Sequence, residues 1–364
     1  MTGGLRQAHG DRLRVVVVGA GITGLLAAVR CTQAGHRVVL VDRGAIPHPG
    51  STSFDQHRAL RALTVGDPAG TGAAMRLHRR WRELDALLSD RLSGALYRRV
   101  GVLTALLGPA AEAGALDTAE AVRLAIRIAD PADFPHIGFP EGTAAAVFEP
   151  QAGVLLADRF LHAAGRWLRR QPLAELRPGR TVVDVRPDGG RVRLADGTAE
   201  SGDAVLVAAG PWTARLLGLP VVLHRQSMVY LRPPAGLVNR WAATPVAGGI
   251  GTDGRAWLLP SVAGTLLKVS TDAVRHEVSD LADPSNQARW TARVLSSGAI
   301  RDIERYDVVR ARQCHYATQA DGGTGFVRVG PAVWARPASG GDGFRTAPLA
   351  VDAVASQLSP AAIS

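Results

Sequence analysis

The sequence predicts an α/β protein: a parallel, doubly wound sheet joined to a second, α+β domain built on an antiparallel sheet. Three observations predict this class. A β-branched run near the N-terminus closes on a glycine-rich turn and a helical pattern, and a second such run follows. An alternating hairpin and a further buried run lie in mid-chain. The length, 364 residues, allows two domains with cores of their own.

The first strand is Arg14-Val15-Val16-Val17-Val18. It runs into Gly19-Ala20-Gly21-Ile22-Thr23-Gly24, the G-x-G-x-x-G pattern. A helical stretch from Leu25 to Arg30 follows, closed by Gly35 and His36. The second strand, Arg37 to Val41, ends on Asp42. The pattern alone is weak. Strand, glycine turn, helix, strand and acid in this order specify a Rossmann-type dinucleotide site. Its glycines let the backbone approach a pyrophosphate at the positive end of the helix, and Asp42 is placed to accept from ribose hydroxyls.

Composition bounds the function. A hydrophobic content of 46% with mean hydropathy of +0.06 describes a soluble globular chain. No apolar stretch reaches the roughly 18 residues that span a bilayer, and Val15–Val18 is too short for a signal-peptide core. Two cysteines, Cys31 and Cys314, make no disulfide framework, so the expected compartment is cytoplasmic. Net charge +10 raises nucleic acid as a partner, but the arginines are spread along the chain with no recognition motif or stacking platform. The expectation is no nucleic acid, no membrane, no metal, and a monomer or weak oligomer.

The middle of the chain separates a flavin from a nicotinamide. Thr181–Arg186 and Arg191–Leu194 alternate as a hairpin around Pro187-Asp188-Gly189-Gly190. Asp203 to Val207 is then a buried run into the small-residue turn Ala208-Ala209-Gly210-Pro211-Trp212. Flavoproteins of the glutathione-reductase-like type return to their dinucleotide domain through such a hairpin and strand, whereas a nicotinamide dehydrogenase continues its strand–helix units. FAD is the expected cofactor. Elsewhere, Leu77–Leu88 reads as an amphipathic helix, Gly66–Gly72 as a mobile loop, and His224–Leu231 as a strand of the second sheet.

Lys268 is the single lysine among 42 basic residues. Arginine replaces lysine freely at solvated positions, but not where a compact ammonium or one with a tunable pKa is needed. Lys268 is thus a candidate site residue; the alternative is a surface lysine snorkelling from the strand that Leu266-Leu267 begins.

Five segments together resemble the monomeric sarcosine oxidase branch of the D-amino-acid-oxidase-like (DAO) flavoenzymes. They are the glycine turn with Val41-Asp42; the loop Ser51-Thr52-Ser53-Phe54-Asp55-Gln56-His57-Arg58-Ala59-Leu60-Arg61; Phe148–Leu155; Trp257–Ser261 leading to Lys268; and Arg312–Tyr316 with Ala338–Arg345. The resemblance runs from about Val15 to Leu358. It implies a discontinuous FAD-binding domain (1–75, 145–220 and 312–364) and a substrate domain (76–144 and 221–311).

The resemblance also implies roles. Cys314 matches a cysteine that forms a thioether to the flavin; a plain buried thiol is the alternative, as for Cys31, and His48 and His57 are rival attachment points. Lys268 matches a lysine over the flavin face, whose ammonium stabilises the superoxide formed when O2 takes an electron. Arg58 would support it. Arg61 and Arg345 match the cations that hold a substrate carboxylate, with arginine at the second position where lysine is common. From spacing alone, Arg58 and Arg61 would share a solvated helix face.

Tyr316 matches a pocket tyrosine, and Trp257 stands where sarcosine oxidases tend to have tyrosine, which argues against sarcosine itself. Ser339–Gly343, a small-residue turn before a helix, would face the flavin edge that becomes negative on reduction. The implied cofactor set is Gly19, Gly21, Gly24, Asp42, Ser51, Val183, Gly210, Cys314, Gly340, Gly341, Gly343 and Phe344. The expected function is oxidation of a carboxylate-bearing secondary amine or a cyclic or N-substituted amino acid, with O2 reoxidising the flavin. A flavin dehydrogenase or tailoring oxidase of a larger amine or hydrazine, and an inactive flavoprotein binding module, are the alternatives.

Overall fold

A computed structural model describes residues 12–283 and 285–358. The polar N-terminal residues 1–11, and residues 359–364 of the expected FAD-binding domain, lie outside the described residues. The chain forms two units. The first holds the chain up to Phe54, Leu161–Val222 and the chain from Tyr316; the second holds Asp55–Phe160 and Leu223–His315.

Among the described residues, the first unit carries a six-stranded sheet in the order Val327–Gly330, Val333–Ala335, Ala204–Val207, Arg14–Val18, Arg37–Val41, Ala174–Arg177. Arg14–Val18 pairs in parallel on both sides, Val15 opposite Ala204 and Val38. Its valines are buried on both faces, as the unbroken β-branched run requires. The helix Ile22–Gln33 packs its Leu25, Leu26, Ala28 and Val29 inward and lies against the helix Gly343–Ala355. Val182–Arg186, Arg191–Leu194 and Ala199–Ser201 form the small antiparallel sheet that the hairpin signals.

Among the described residues, the second unit is built on a nine-stranded sheet. Its order is His276–Val278, Val222–Arg232, Leu267–Thr271, Ala256–Leu259, Val246–Ile250, Val102–Leu107, Thr143–Glu149 and Arg127–Ala129, with Asp307–Thr318 also paired to Val222–Arg232. The sheet is mixed rather than wholly antiparallel: Val246–Ile250 runs parallel to Val102–Leu107. Those two strands come from separate passages of the chain through this unit, so no hairpin ties them into opposite directions. Leu103, Val229, Leu231, Trp241, Leu258, Leu267 and Val269 centre its core.

The division differs from the sequence-based boundaries at four places, the smallest being residues 221–222, which fall in the first unit. Residues 55–75 belong to the second unit, because Arg58–Leu60 pairs with Gly153–Leu155 there. Residues 145–160 do too, since Thr143–Glu149 is a strand of the large sheet; the chain crosses within the helix Ala157–Arg169. Residues 312–315 also fall there, on the strand Asp307–Thr318.

Two local expectations change as well. Helix Pro68–Leu88 begins inside the expected loop Gly66–Gly72: Asp67 accepts from the Gly70 amide at 2.8 Å, and Pro68 suits the first turn. Arg58 and Arg61 are not on a helix. Arg58 opens a strand and Arg61 lies just past its end, so their spacing gives no shared face.

Candidate active site

Lys268 sits in an interior strand whose five residues are all buried, with Tyr230 and Leu259 as its cross-strand neighbours. It is 2% exposed, so it does not snorkel to solvent. Its Nζ donates to Oδ2 of Asp55 at 2.6 Å and to the His57 carbonyl at 3.4 Å. Arg58 Nη1 donates to the same Oδ2 and to the same carbonyl, the latter at 3.1 Å. The Tyr230 hydroxyl donates to Oδ1 of Asp55 at 2.6 Å, and the Gln56 amide to Oδ1 at 2.7 Å. The Asp55 loop is pinned by its backbone, since the amides of Ala157 and Asp158 donate to the carbonyls of Gln56 and Asp55.

Electrostatics follow from this geometry. Burial works against Asp55 ionising, but the charges of Lys268 and Arg58, with the bonds from Lys268 and Tyr230, hold its carboxyl well below the usual range. Burial, then the like charge of Arg58, lowers Lys268 to about 8 against the pull of Asp55. Burial lowers His57 to about 3, with Lys268 adding to the effect, so His57 is neutral. Its Nε2 bonds the Pro260 carbonyl at 3.0 Å and therefore carries the proton; its Nδ1 is buried without a partner. Cys314 is half-buried, and burial pushes its thiol up while Arg58 and Lys268 pull it down, which places it in the field of the same two cations. The Trp257 ring centre lies 5.5 Å from the Lys268 ammonium. Arg61 donates to the Leu63 carbonyl at 2.9 Å, on a segment whose Ala62 and Leu63 amides are held by buried Glu149.

The expected cofactor residues of the first unit fit a dinucleotide. Gly19 has φ of +96°, and a side chain there would meet the Ala208 carbonyl at 2.6 Å. A side chain on Gly24 would meet the Gly19 carbonyl at 1.8 Å, so strand and helix approach only through glycine. Helix Ile22–Gln33 begins on Gly21, which has no side chain to cap it; the Ile22 amide donates to the Ser53 hydroxyl at 3.1 Å, and the positive end of the helix would suit an anion. Asp42 accepts from the amides of Ala20 and Gly44 at 2.7 and 2.8 Å, holding the loop in shape and keeping lone pairs for a ribose. Ser51 accepts from Phe54, and Gly210 takes φ of +59° beside the Arg43–Trp212 stack. Val183 lies exposed in the small sheet. His48 folds back on its own loop, accepting from Gly50 at 2.8 Å.

In the same unit the helix Gly343–Ala355 starts on Asp342, whose side chain makes no cap bond. The Ser339 and Gly340 amides donate to the Ala317 carbonyl, which fixes the turn beside Tyr316. A side chain on Gly341 would come within 3.9 Å of the Tyr316 ring, and Phe344 is buried. Arg345 pairs with Asp342. Cys31 is inert: burial pushes its thiol up to about 12. Among the described residues, no group of three or more His, Cys, Asp or Glu could hold a metal, and no helix is long and apolar enough to cross a membrane.

Three residues carry weight that the sequence reading did not assign. Asp55 was quoted within its loop but given no role; a lysine on an interior strand demands a carboxylate, and that demand is the signal. Tyr230 is found only through strand register. Arg336 is 3% exposed and donates to Thr23 Oγ1, Thr346 Oγ1 and the carbonyls of Thr324 and Gly343, tying the two helix starts together. Burial lowers it to about 10.

Fold and site define a two-unit dinucleotide-binding protein with a buried lysine–carboxylate–arginine cluster. The chain belongs to the DAO family of FAD-dependent oxidoreductases, which it matches over residues 14–357. It is 26% identical over 232 residues to the monomeric sarcosine oxidase of Bacillus sp. (strain B-0618), covering 58% of this chain and 56% of that protein. The matched stretch is thus little more than half of the relative's length. Glycine oxidase from Geobacillus kaustophilus has a similar fold, with a TM-score of 0.74 at 18% identity over 96% of this chain and 95% of that one. Iminodiacetate oxidase from Chelativorans sp. BNC1 aligns with a TM-score of 0.73 at 22% identity over 94% of each.

Proposed function

We propose that this chain is an FAD-dependent oxidase of the sarcosine-oxidase-like branch, acting on a carboxylate-bearing secondary amine or a cyclic or N-substituted amino acid. The observation that carries the reading is the buried Lys268, the chain's single lysine, held charged by Asp55 in one cluster with Arg58 and Cys314. The relatives named sarcosine oxidase and iminodiacetate oxidase support an amine bearing carboxylate.

Bound FAD would supply the redox chemistry, a two-electron oxidation of the amine to an imine that water hydrolyses, balanced by reduction of O2 with two protons to H2O2. The glycine turn and Asp42 would hold its pyrophosphate and ribose. Cys314 would anchor it covalently, and Ser51, Val183, Gly210 and Gly340–Phe344 would complete its site. Arg61 and Arg345 would bind the carboxylate. Arg58 and Lys268 supply two positive charges against one negative charge on Asp55, a field that favours the neutral, reactive amine and stabilises an anion formed from oxygen. Trp257, with an indole in place of a phenol, suits a cyclic or bulkier amine better than sarcosine.

The test is anaerobic mixing with a panel of N-alkyl and cyclic amino acids. At least one should bleach the flavin absorbance, and air should restore it with one peroxide per amine consumed. A panel that bleaches nothing removes the amine reading and leaves the FAD family intact.

A further inference from the structure

We propose that Asp55 is the positioning residue of the Lys268 cation: its carboxylate fixes where the ammonium sits and keeps it charged while it is shut away from water. The inference rests on the reading of Lys268 as the cation of the oxygen half-reaction.

An ammonium taken out of water alone gives up its proton, because no medium of low polarity solvates the charge. Lys268 is 2% exposed, and the carboxylate bonded to it is that of Asp55. That carboxylate is fully engaged. Oδ2 takes Lys268 and Arg58; Oδ1 takes the Tyr230 hydroxyl and the Gln56 amide. Turning the carboxylate would break bonds on both oxygens, so its orientation is set by four donors and the ammonium's position by its orientation. The His57 carbonyl is the second acceptor shared by both cations.

The other groups facing Lys268 do not replace Asp55. His57 is neutral, Trp257 offers only a ring face, and the Tyr230 phenol is held protonated by burial and by Asp55. Burial likewise keeps the Cys314 thiol protonated. Arg58 repels Lys268; Arg312, on the Cys314 strand, and Arg310, over the Tyr230 ring at 4.3 Å, are also positive. Among these cations lysine yields its proton first, since a guanidinium does not. Loss of Asp55 therefore discharges Lys268 rather than Arg58.

The composition of the chain makes the test direct. Holoenzyme grown on [13C,15N]-lysine, with a lysine-free tag, has one ammonium to observe by NMR. In the wild type the Nζ protons should exchange slowly with water. In Asp55→Asn the titration midpoint should fall, with the ionisation constant changed at least about tenfold, and Asp55→Glu should move it back. Equal midpoints for wild type and Asp55→Asn overturn the proposal. Should Asp55→Asn not fold, the wild type decides alone: Nζ protons that exchange as fast as those of free lysine overturn it too. The signal needs no turnover. A shifted midpoint with unchanged reoxidation by O2 upholds the role of Asp55 and removes the oxygen-site reading instead.

Discussion

Tyr230 and Lys268 are direct cross-strand neighbours, and their side chains reach opposite oxygens of one carboxylate, that of Asp55. The strand register thus delivers a donor and a cation to the same face, and a loop outside the sheet supplies the acid between them. Any change to one member must be felt by the others, because the carboxylate has no spare freedom to re-pair.

Tyr230→Phe is the mildest probe of that arrangement. It keeps the ring, which is fully buried, and deletes only the hydroxyl that donates to a charged acceptor. The expected cost is about 1.5–3 kcal/mol of unfolding free energy, the usual worth of a bond to a charged group. Urea unfolding at neutral pH checks it, and an unchanged midpoint would show that the phenol does not bond Asp55 in solution.

Acid should weaken the protein before its carboxylates titrate. His57 Nε2 donates to the Pro260 carbonyl, and His136 Nε2 to Thr244 Oγ1, whose own proton goes to the Arg240 carbonyl. Each Nδ1 is buried without a partner, so a second proton would bury an unmatched N–H. Burial accordingly lowers His57 to about 3 and His136 to about 4. Below the ordinary histidine value the unfolded chain binds protons that the folded chain refuses, so stability falls as pH falls through that window. The expected slope is about 1.4 kcal/mol per pH unit for each histidine. Urea midpoints at pH 7, 6 and 5 give the slope; a flat profile over that range contradicts the neutral assignment, and His136→Gln should reduce the slope by about 1.4 kcal/mol per pH unit.

How much of this was legible depends on how local each cause is. The glycine turn was legible because Gly24 is fixed by a contact with Gly19 inside its own strand–helix unit, although Gly19 itself meets the distant Ala208. The hairpin at Arg186–Arg191 and the strand ending at Val207 were legible for the same reason. Lys268 stood out by its rarity, but its burial did not, since one apolar flank reads alike for an edge strand and an interior one. Asp55 was illegible because its partners Tyr230 and Lys268 lie far along the chain, joined by sheet register rather than by spacing. The helix-face alternative for Arg58 fails because i, i+3 spacing carries no information when a three-residue strand pairs with a distant one. Residues 145–160 were placed in the wrong unit because a strand of the large sheet directly precedes the crossing helix.

The carboxylate reading is tested at Arg345 and Arg61. Arg345 is largely buried and pairs with the exposed Asp342, while Arg61 bonds a backbone carbonyl. Replacing either with Met should cost roughly 2 to 4 kcal/mol in kcat/KM for a carboxylate-bearing amine. The control is an amine of the same shape without the carboxylate, against which the variants should lose little. Equal losses on both substrates would locate the defect in folding, not in binding.

Cofactor attachment is tested at Cys314. Colour should stay with acid-precipitated protein, and a proteolytic peptide containing Cys314 should carry the flavin mass. Cys314→Ser should release the colour while still binding FAD through the glycine turn. The raised thiol predicts slow attachment to added FAD below neutral pH and faster attachment as pH rises, since the thiolate is the reacting form. Flavin released in full from the wild type would end the covalent reading.

The last prediction concerns Lys268 itself. On the reading of Lys268 as the cation of the oxygen half-reaction, only that half-reaction creates a new anion beside its ammonium, so Lys268→Met should slow reoxidation of reduced enzyme far more than its reduction by amine. One preorganised electrostatic donor contributes about two to three powers of ten, or roughly 2.7 to 4 kcal/mol. Lys268→Arg should recover part of this, because the charge returns while the shape of the donor does not. The pH dependence has a definite sign. Burial and Arg58 lower Lys268 to about 8, so the charged form is complete below that value and is lost as pH rises through it. Reoxidation should therefore slow above about pH 8 in the wild type and lose that dependence in Lys268→Met. Stopped-flow mixing of photoreduced enzyme with oxygenated buffer from pH 6.5 to 9.5 measures both effects. A Lys268→Met variant that reoxidises at the wild-type rate would take the oxygen chemistry away from this lysine, and the protein would then read as a dehydrogenase passing electrons to another acceptor.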